Sequence, residues 1–483
     1  MGIINDWAKR KMQTWLEIIP APIEQAITIQ REHTRELEVI QSQLWYQGDA
    51  EELFQFFHQT EFKTGMFWGS APADRKIRKI HSGLPAVIAD TLAYIVKSDL
   101  DNIEAPPEWE MMEKSMDFRK LIGQAITDTL VSGDGAFKIS VDTNLSEYPI
   151  VEFISGDRVD IDYERSIIQA ITFKTRYYYK SVWYELHEKY SKGKIETNLF
   201  DSNGSERSLS TIPSLAGIEP IVEFDGDYIM AVPLMFYSSK KYKGRGKSIF
   251  SGGKSQCFDA LDETISQWID AIRAGRVIKY IPETLIPRDP NNGSLLSVNS
   301  FGAEVIALRG GLNEGTDKID VSQPDIKYEA FVSTYTNAML MCLQGIISPA
   351  TLGIDLGRMS SAEAQREKKD VTGDTRNTIT SALEKQLPEL INAMLMTYSN
   401  ILGNTPERQD VTVSFGEYGA PDFDSRVETI GKAATYGVMS IESQVDELWG
   451  GSKDDEFKAA EVQRIKQEKG ILTANEPSPG GEL

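Results

Sequence analysis

Two long apolar stripes at helical spacing flank a stretch through which neither helix could continue. Between Lys254 and Arg276 the stripe is Cys257, Phe258, Leu261, Ile265, Trp268, Ile269 and Ile272, the pattern of one buried helix face. A helix of that span would be about 34 Å long at 1.5 Å per residue. A second stripe runs through Phe331, Tyr335, Ala338, Met339, Leu343 and Ile346. Between the two, Val277 to Lys327 is rich in Pro, Gly and Asn, with a short strand candidate at Glu304 to Ala307. A chain of this kind has to build a compact module on a stalk of two helices.

The rest of the pattern fills in around that pair. Trp7, Met12, Trp15 and Leu16 suggest an amphipathic N-terminal helix ended by Pro20, read as a docking arm rather than a membrane anchor. The Met-Gly start lacks the Ser or Thr of a myristoylation signal, since Asp6 holds that position. From Ile23 to about Leu130 the apolar positions keep helical spacing, for example Leu84, Val87, Ile88, Leu92 and Ile95. After a Gly133-Asp134-Gly135 turn the period changes to that of strands: Ala136 to Val141, Pro149 to Ile154, Val159 to Tyr163, Ile167 to Tyr178, Ser181 to Glu188 and Lys194 to Phe200. An antiparallel meander behind a helical N-terminus makes the class α+β rather than a doubly wound sheet.

Downstream of the second stripe, Ser348 to Met359 is an aperiodic, glycine-bearing loop, longer than most helix connections. Ser360-Ser-Ala-Glu363 then reads as a capping box. It opens a long helix carrying Val371, Ile379, Leu383, Leu387, Ile391, Met394 and Leu395, expected to be interrupted and kinked at Gly373 and Pro388. Asp410 to Phe415 is one more strand, Ser425 to Gly470 a set of short helices, and residues 471–483 a frayed tail.

Composition limits the function. Of the 483 residues 51 are Lys or Arg and 72 are Asp or Glu, a net charge of −21. Such a balance argues against a protein that grips nucleic acid over its whole surface by neutralising phosphates. Basic residues concentrate locally in Lys240-Lys241-Tyr-Lys243-Gly-Arg245-Gly-Lys247, where Lys241, Lys243, Arg245 and Lys247 could contact phosphates. The plainer alternative is a solvated loop ahead of a helix. Arg75-Lys76-Ile-Arg78-Lys79 reads the same way. Gly244-Arg-Gly-Lys-Ser248 suggests a P-loop, but the glycine needed five positions before Gly246 is Lys241, and Gly253-Lys-Ser255 has Ser248 there. Cys257 and Cys342 lack metal-ligand spacing, and His33, His58, His81 and His187 are scattered. No nucleophile elbow or Cys-His signature is present, so no catalytic residue, metal or cofactor is expected. No run of about eighteen apolar residues is present, so no spanning helix is expected.

Three stretches in order resemble the portal proteins of tailed bacteriophages, of the type found in long non-contractile-tailed phages of Gram-positive bacteria. GRGKSIFSGGKSQCFDALDETISQWID, Gly244 to Asp270, is similar to the glycine-serine lead-in and Leu-Asp-x-x-x-Ser helix that open the portal stem. GIISPATLGIDLGRMSSAEAQREKKDVTGDTR, Gly345 to Arg376, is similar to the tunnel loop and the start of the long kinked helix. Val411 to Gly470 is similar to the region that leads into and forms the crown. The resemblance implies a portal fold with long stem and wing helices, an antiparallel β wing, a small α/β clip and a helical crown. In this numbering the wing would be 1–246 with 361–415, the stem 247–275 and 328–347, the clip 276–327, the tunnel loop 348–360 and the crown 416–470. The clip sequence does not match the family residue by residue.

What the resemblance further implies is a closed ring, usually of twelve copies, at one capsid vertex of the virion, assembled in the host cytoplasm. Duplex DNA would be packaged through it by terminase and later ejected through it, independently of sequence. A head–tail adaptor and the major capsid and scaffolding proteins would be further partners, and no membrane would be involved. Stem packing would use Phe258, Leu261, Ile265, Trp268, Ile269, Phe331, Tyr335 and Met339. Thr351, Leu352, Gly353, Ile354, Asp355, Leu356, Gly357, Arg358, Met359 and Ser360 would face DNA. Twelve chains would carry on the order of −250 charges, and an acidic conduit suits a polyanion that must slide rather than bind. The competing readings are a nucleotide-dependent packaging enzyme with a degenerate P-loop and a structural oligomer without a channel.

Overall fold

The computed structural model describes residues 34–59, 66–70, 77–165, 167–275, 277–282, 303–308, 320–322, 326–354, 362–416, 423–449 and 455–469. The amphipathic N-terminal segment, Ser360 and Ser361 of the capping box, Arg75 and Lys76, the tail, and Asp355 to Met359 lie outside them. The chain divides into two compact units, one of residues 1–94 and 105–411 and one of residues 95–104 and 412–483.

The larger unit opens with helices α1 (Arg35–Gln47), α2 (Ala50–Gln59) and α3 (Leu84–Ser98), the last of which runs on into the smaller unit. Thr34 starts α1 by accepting the Leu37 amide N–H on its hydroxyl at 3.4 Å. Strand β1 (Leu100–Glu104) belongs to the smaller unit, and helices α4 (Pro107–Met116) and α5 (Phe118–Ser132) follow it in the larger one. All six expected strands then form: β2 (Asp134–Ser140), β3 (Ile150–Ser155), β4 (Val159–Glu164), β5 (Ile167–Tyr179), β6 (Val182–Ser191) and β7 (Lys194–Asp201).

They do not make one meander. β2 and β3 form a separate three-stranded sheet, while β4 to β7 continue through β8 (Glu206–Arg207) into a six-stranded sheet that also takes up β9 (Ile221–Glu223) on β7. The third strand of the first sheet is β10 (Ala231–Met235), which pairs with β2 alone. An edge strand of this kind tolerates Pro233, whose missing N–H would break a central ladder. Asp134 is accordingly the first residue of a strand rather than the centre of a turn. Hairpin β5–β6 turns at Lys180 and Ser181, both at positive φ, so two residues without the usual Gly or Asn close a two-residue loop between Tyr179 and Val182. Leu186, Leu199, Leu209, Ile212 and Leu215 form the core beneath this sheet.

Both apolar stripes are helices, α6 (Lys254–Ala274) and α7 (Tyr328–Leu343), and Ile346 falls just beyond the second. Between them β11 (Val277–Pro282) is the centre of a three-stranded sheet, parallel to β12 (Ala303–Leu308) and antiparallel to β13 (Asp320–Ser322). The long helix α8 (Ala362–Ile401) is continuous over 40 residues, about 60 Å. Contrary to expectation, neither Gly373 nor Pro388 interrupts it. Pro388 removes one amide donor, but Leu383, Leu387, Leu390, Ile391 and Met394 are all fully buried around it, and that packed face outweighs one lost bond.

In the smaller unit β1 pairs antiparallel with β14 (Thr412–Phe415), followed by helices α9 (Phe423–Thr435), α10 (Ile441–Trp449) and α11 (Asp455–Glu468). Ile430 and Val445 are buried there, and Trp449 meets Phe457 edge-on at 5.9 Å. Among the described residues no helix is long and apolar enough to cross a membrane.

Candidate functional site

The glycine-rich lead-in to α6 is built around a buried carboxylate. Asp134 accepts from Arg245 Nε at 3.0 Å, from the same guanidinium's second nitrogen at 3.1 Å and from the Gly246 amide at 2.6 Å. Arg35, from α1, also donates to Asp134 and to the Gly156 carbonyl, which Arg245 reaches at 2.9 Å. Arg35 and Arg245 are 10% and 11% exposed and Asp134 is 0% exposed, so the cluster is internal.

The glycines serve a chain crossing at this point. A Cβ on Gly246 would stand 2.0 Å from the Gly133 carbonyl oxygen, and one on Gly133, at φ +93°, would stand 2.7 Å from the Ser248 nitrogen. Only backbone fits on either side. Because the Gly246 N–H is already given to Asp134, it cannot help to cradle a nucleotide phosphate, so the incomplete P-loop match has a structural explanation. The four basic residues proposed as phosphate contacts do not act together. Arg245 is turned inward, Lys241 pairs with Glu38, and Lys243 and Lys247 are exposed.

Beyond this junction α6 runs against α7. Phe258, Leu261 and Met339 are buried. Farther along, Trp268 lies parallel to Phe331 at 6.1 Å with an angle of 4° between the rings, and is 6.3 Å from Tyr335. Ile265, Trp268, Ile269, Phe331 and Tyr335 are half-buried, while the apolar side chains of Ile272, Tyr328, Val332, Leu340 and Met341 are exposed. The helix pair is fastened by a contact that periodicity does not reveal. Lys254 Nζ, in the first turn of α6, donates to the carbonyls of Met341, Cys342 and Gln344 at 2.7, 3.2 and 2.6 Å. These are the orphan acceptors at the negative end of α7, so one ammonium caps one helix from the start of the other.

The opposite face of α6 holds an N-terminal segment. Asp259 accepts the amides of Phe67 and Trp68 at 2.8 and 3.0 Å. Asp262 accepts Trp68 Nε1 at 3.1 Å and the Ser82 amide at 2.8 Å, and lies 2.7 Å from His81 Nδ1. Ser266, one turn on, accepts the Ile80 amide at 3.0 Å. The Leu-Asp-x-x-x-Ser pattern thus supplies its two polar residues to one strip of backbone. Burial pushes the Asp259 carboxyl above the usual range, against its two amide donors. Lys79 is also turned inward, onto the carbonyls of Phe67, Trp68 and Ser70 at 2.6, 2.9 and 2.9 Å.

Burial pushes the Cys342 thiol up to about 12. With little thiolate at pH 8 and no access from solvent, Cys342 should not react with a disulfide reagent until the chain unfolds, and Cys342→Ser should remove one denaturant-dependent thiol from the titration. Fast reaction of both cysteines in native protein would show that the top of the helix pair opens readily.

The first part of the candidate DNA-facing loop is tied to α8. Thr351 and Leu352 end a 3-10 turn, Pro349–Leu352, closed by Gly353 at φ +70°. Thr372 on α8 accepts the Ser348 amide at 2.9 Å and lies 3.0 Å from the Thr351 hydroxyl, while Thr375 donates to the Ile346 carbonyl at 2.7 Å. Leu352 and Ile354 are half-buried. Asp355, Leu356, Gly357, Arg358, Met359 and Ser360 lie outside the described residues.

The sequence profile of the family described as "Phage portal protein, SPP1 Gp6-like" matches residues 28–470. The chain belongs to the phage portal protein family. It is a component of the virion that forms the head–tail connector channel. No curated protein matches it. Among solved structures, a chain of the virion of a native gene transfer agent particle is similar at 11% identity and a TM-score of 0.39, covering 94% of this chain and 98% of that one. A chain from the neck of the native particle, computed with C12 symmetry, is 13% identical with a TM-score of 0.39, covering 78% and 94%. One from the neck of the empty particle, computed with C6 symmetry, is 13% identical with a TM-score of 0.34, covering 83% and 95%.

Proposed function

We propose that this portal protein assembles as a closed ring of twelve copies, through which terminase drives duplex DNA into the head and from which DNA later leaves through a head–tail adaptor and tail. Major capsid and scaffolding proteins would hold the ring at its vertex, in a phage of the long-tailed type that infects Gram-positive bacteria. The observation that carries this reading is the antiparallel pair α6 and α7 with a three-stranded module inserted at its far end, followed by a loop and the 40-residue α8. In this arrangement the helix pair is the stem, residues 276–327 are the clip, 348–360 the tunnel loop and 416–470 the crown. Residues 1–246 and 361–415 make the wing. The exposed apolar side chains of α6 and α7 then meet neighbouring copies, and the loop faces DNA.

The loop's chemistry fits transit. Thr351, Gly353, Gly357 and Ser360 are small, and Asp355 and Arg358 offset one another, so the segment neither grips nor strongly repels a backbone. Electron microscopy of the purified full chain should show rings with a central hole, and compact monomers would overturn the assembly. Deleting residues 353–357 should leave rings intact, because Thr351 and Ser348 keep their anchor on α8, yet impair packaging or retention of DNA. Heads filled normally by such a variant would make the segment a connector only.

A further inference from the structure

Beside the Asp134 junction lies a cavity of about 600 Å³ whose wall includes Lys240, Lys241, Lys247, Ser239, Ser251 and Gly252, with Glu38 as its one carboxylate. Three features of it favour an anion. First, Lys240 and Lys247 are exposed and have no ion-pair partner among the described residues, whereas Lys241 is paired with Glu38. Second, Arg35, which also lines the cavity, and Arg245 share the single carboxylate of Asp134, and only Arg245 reaches another, Asp160 at 3.6 Å. The wall is therefore locally positive in a chain of net charge −21. Third, Ser251 and Gly252 precede Gly253, the N-cap of the 21-residue helix α6, which has neither a capping side chain nor an acidic residue in its first turn. The positive end of a long helix thus lies close to a wall that carries two unpaired ammonium groups. The Ser239 hydroxyl accepts the amides of Lys241 and Tyr242, each at 3.2 Å, which leaves its proton to donate.

We propose that this basin binds a phosphate group. Ammonium, guanidinium and hydroxyl donors line it together, the donor set that a tetrahedral oxyanion takes up. No hydrolysis is implied, since the Gly246 amide is committed to Asp134. The phosphate could be a diester of the DNA backbone, which the volume admits together with its flanking sugars, or free phosphate. The first source rests on the DNA-channel reading above.

The test uses the full chain as purified, with the double variant Lys240→Gln, Lys247→Gln against a control of equal charge loss on the β6–β7 hairpin, Lys192→Gln, Lys194→Gln. Inorganic phosphate is titrated by calorimetry, and a labelled 20-base-pair duplex by anisotropy across a salt series. The basin variant should weaken phosphate binding about ten-fold or more, as loss of charge-assisted bonds does, and the control should not. If the source is DNA, duplex affinity falls too and its salt slope drops by about two. If the source is free phosphate, only the calorimetric arm changes. Absence of basin-specific loss in both arms, including equal loss in the control, overturns the proposal. Ring imaging of the same samples separates the two readings. Rings without basin-specific binding reject the basin alone, and monomers that keep it reject the ring alone.

Discussion

Replacing Asp134 by alanine should cost the folded chain about 3–5 kcal/mol, the loss expected when one partner of a buried ion pair is removed. The carboxylate faces two guanidiniums, Arg35 and Arg245, and the Gly246 amide, all inside the protein. Without it both cations remain desolvated, and the loop that delivers the chain into α6 loses its attachment to β2. Asp134→Asn keeps the shape but not the charge, and should fall between the two. Denaturant unfolding followed by circular dichroism measures the effect. An alanine variant with the wild-type midpoint would mean that water reaches the guanidiniums and that the cluster contributes little.

The same residues show where sequence reasoning succeeded and where it stopped. The stripe on α6 and the one on α7 were legible because helical packing repeats at fixed spacing, and the strands from Asp134 to Asp201 because their alternation is local. That β2 and β3 leave the meander for a sheet with β10 was not legible, since the pairing partner lies far along the chain and β10 is short and contains Pro233. Gly246 looked like a phosphate-binding glycine and Gly133 like a turn glycine because each of these uses, like a chain crossing, needs a backbone stripped of side chain. Only the crossing partner, which the sequence does not display, separates them. Lys254 and Asp262 lie off the apolar stripe of α6, and periodicity says nothing of their partners, yet each is bonded to backbone distant in sequence: Lys254 to the end of α7, Asp262 to the segment around Trp68 and Ser82. Of the loop expected to face DNA, Thr351 and Leu352 have a defined anchor, and the role of the whole segment rests on the portal reading.

Two substitutions on the helix pair separate folding from assembly. Leu261 is 1% exposed within the single chain, so an aspartate there must be desolvated between α6 and its neighbours or force them apart. The cost should exceed about 3 kcal/mol, the sum of a lost core side chain and a buried unpaired polar group. Leu261→Asp should therefore lose both its cooperative melt and its rings. Val332, on the face of α7 that it shares with Tyr328, is 43% exposed. Aspartate there should change the stability of the lone chain by no more than about 0.5 kcal/mol. If that face packs against the next copy, the same carboxylate is buried once per interface and repeated around the ring, so Val332→Asp should fold normally yet remain monomeric. Circular dichroism reads the fold, and mass photometry with particle imaging reads the ring. A native melt for Leu261→Asp would show that the carboxylate escapes to water, and complete rings from Val332→Asp would move the subunit contact off this face of α7.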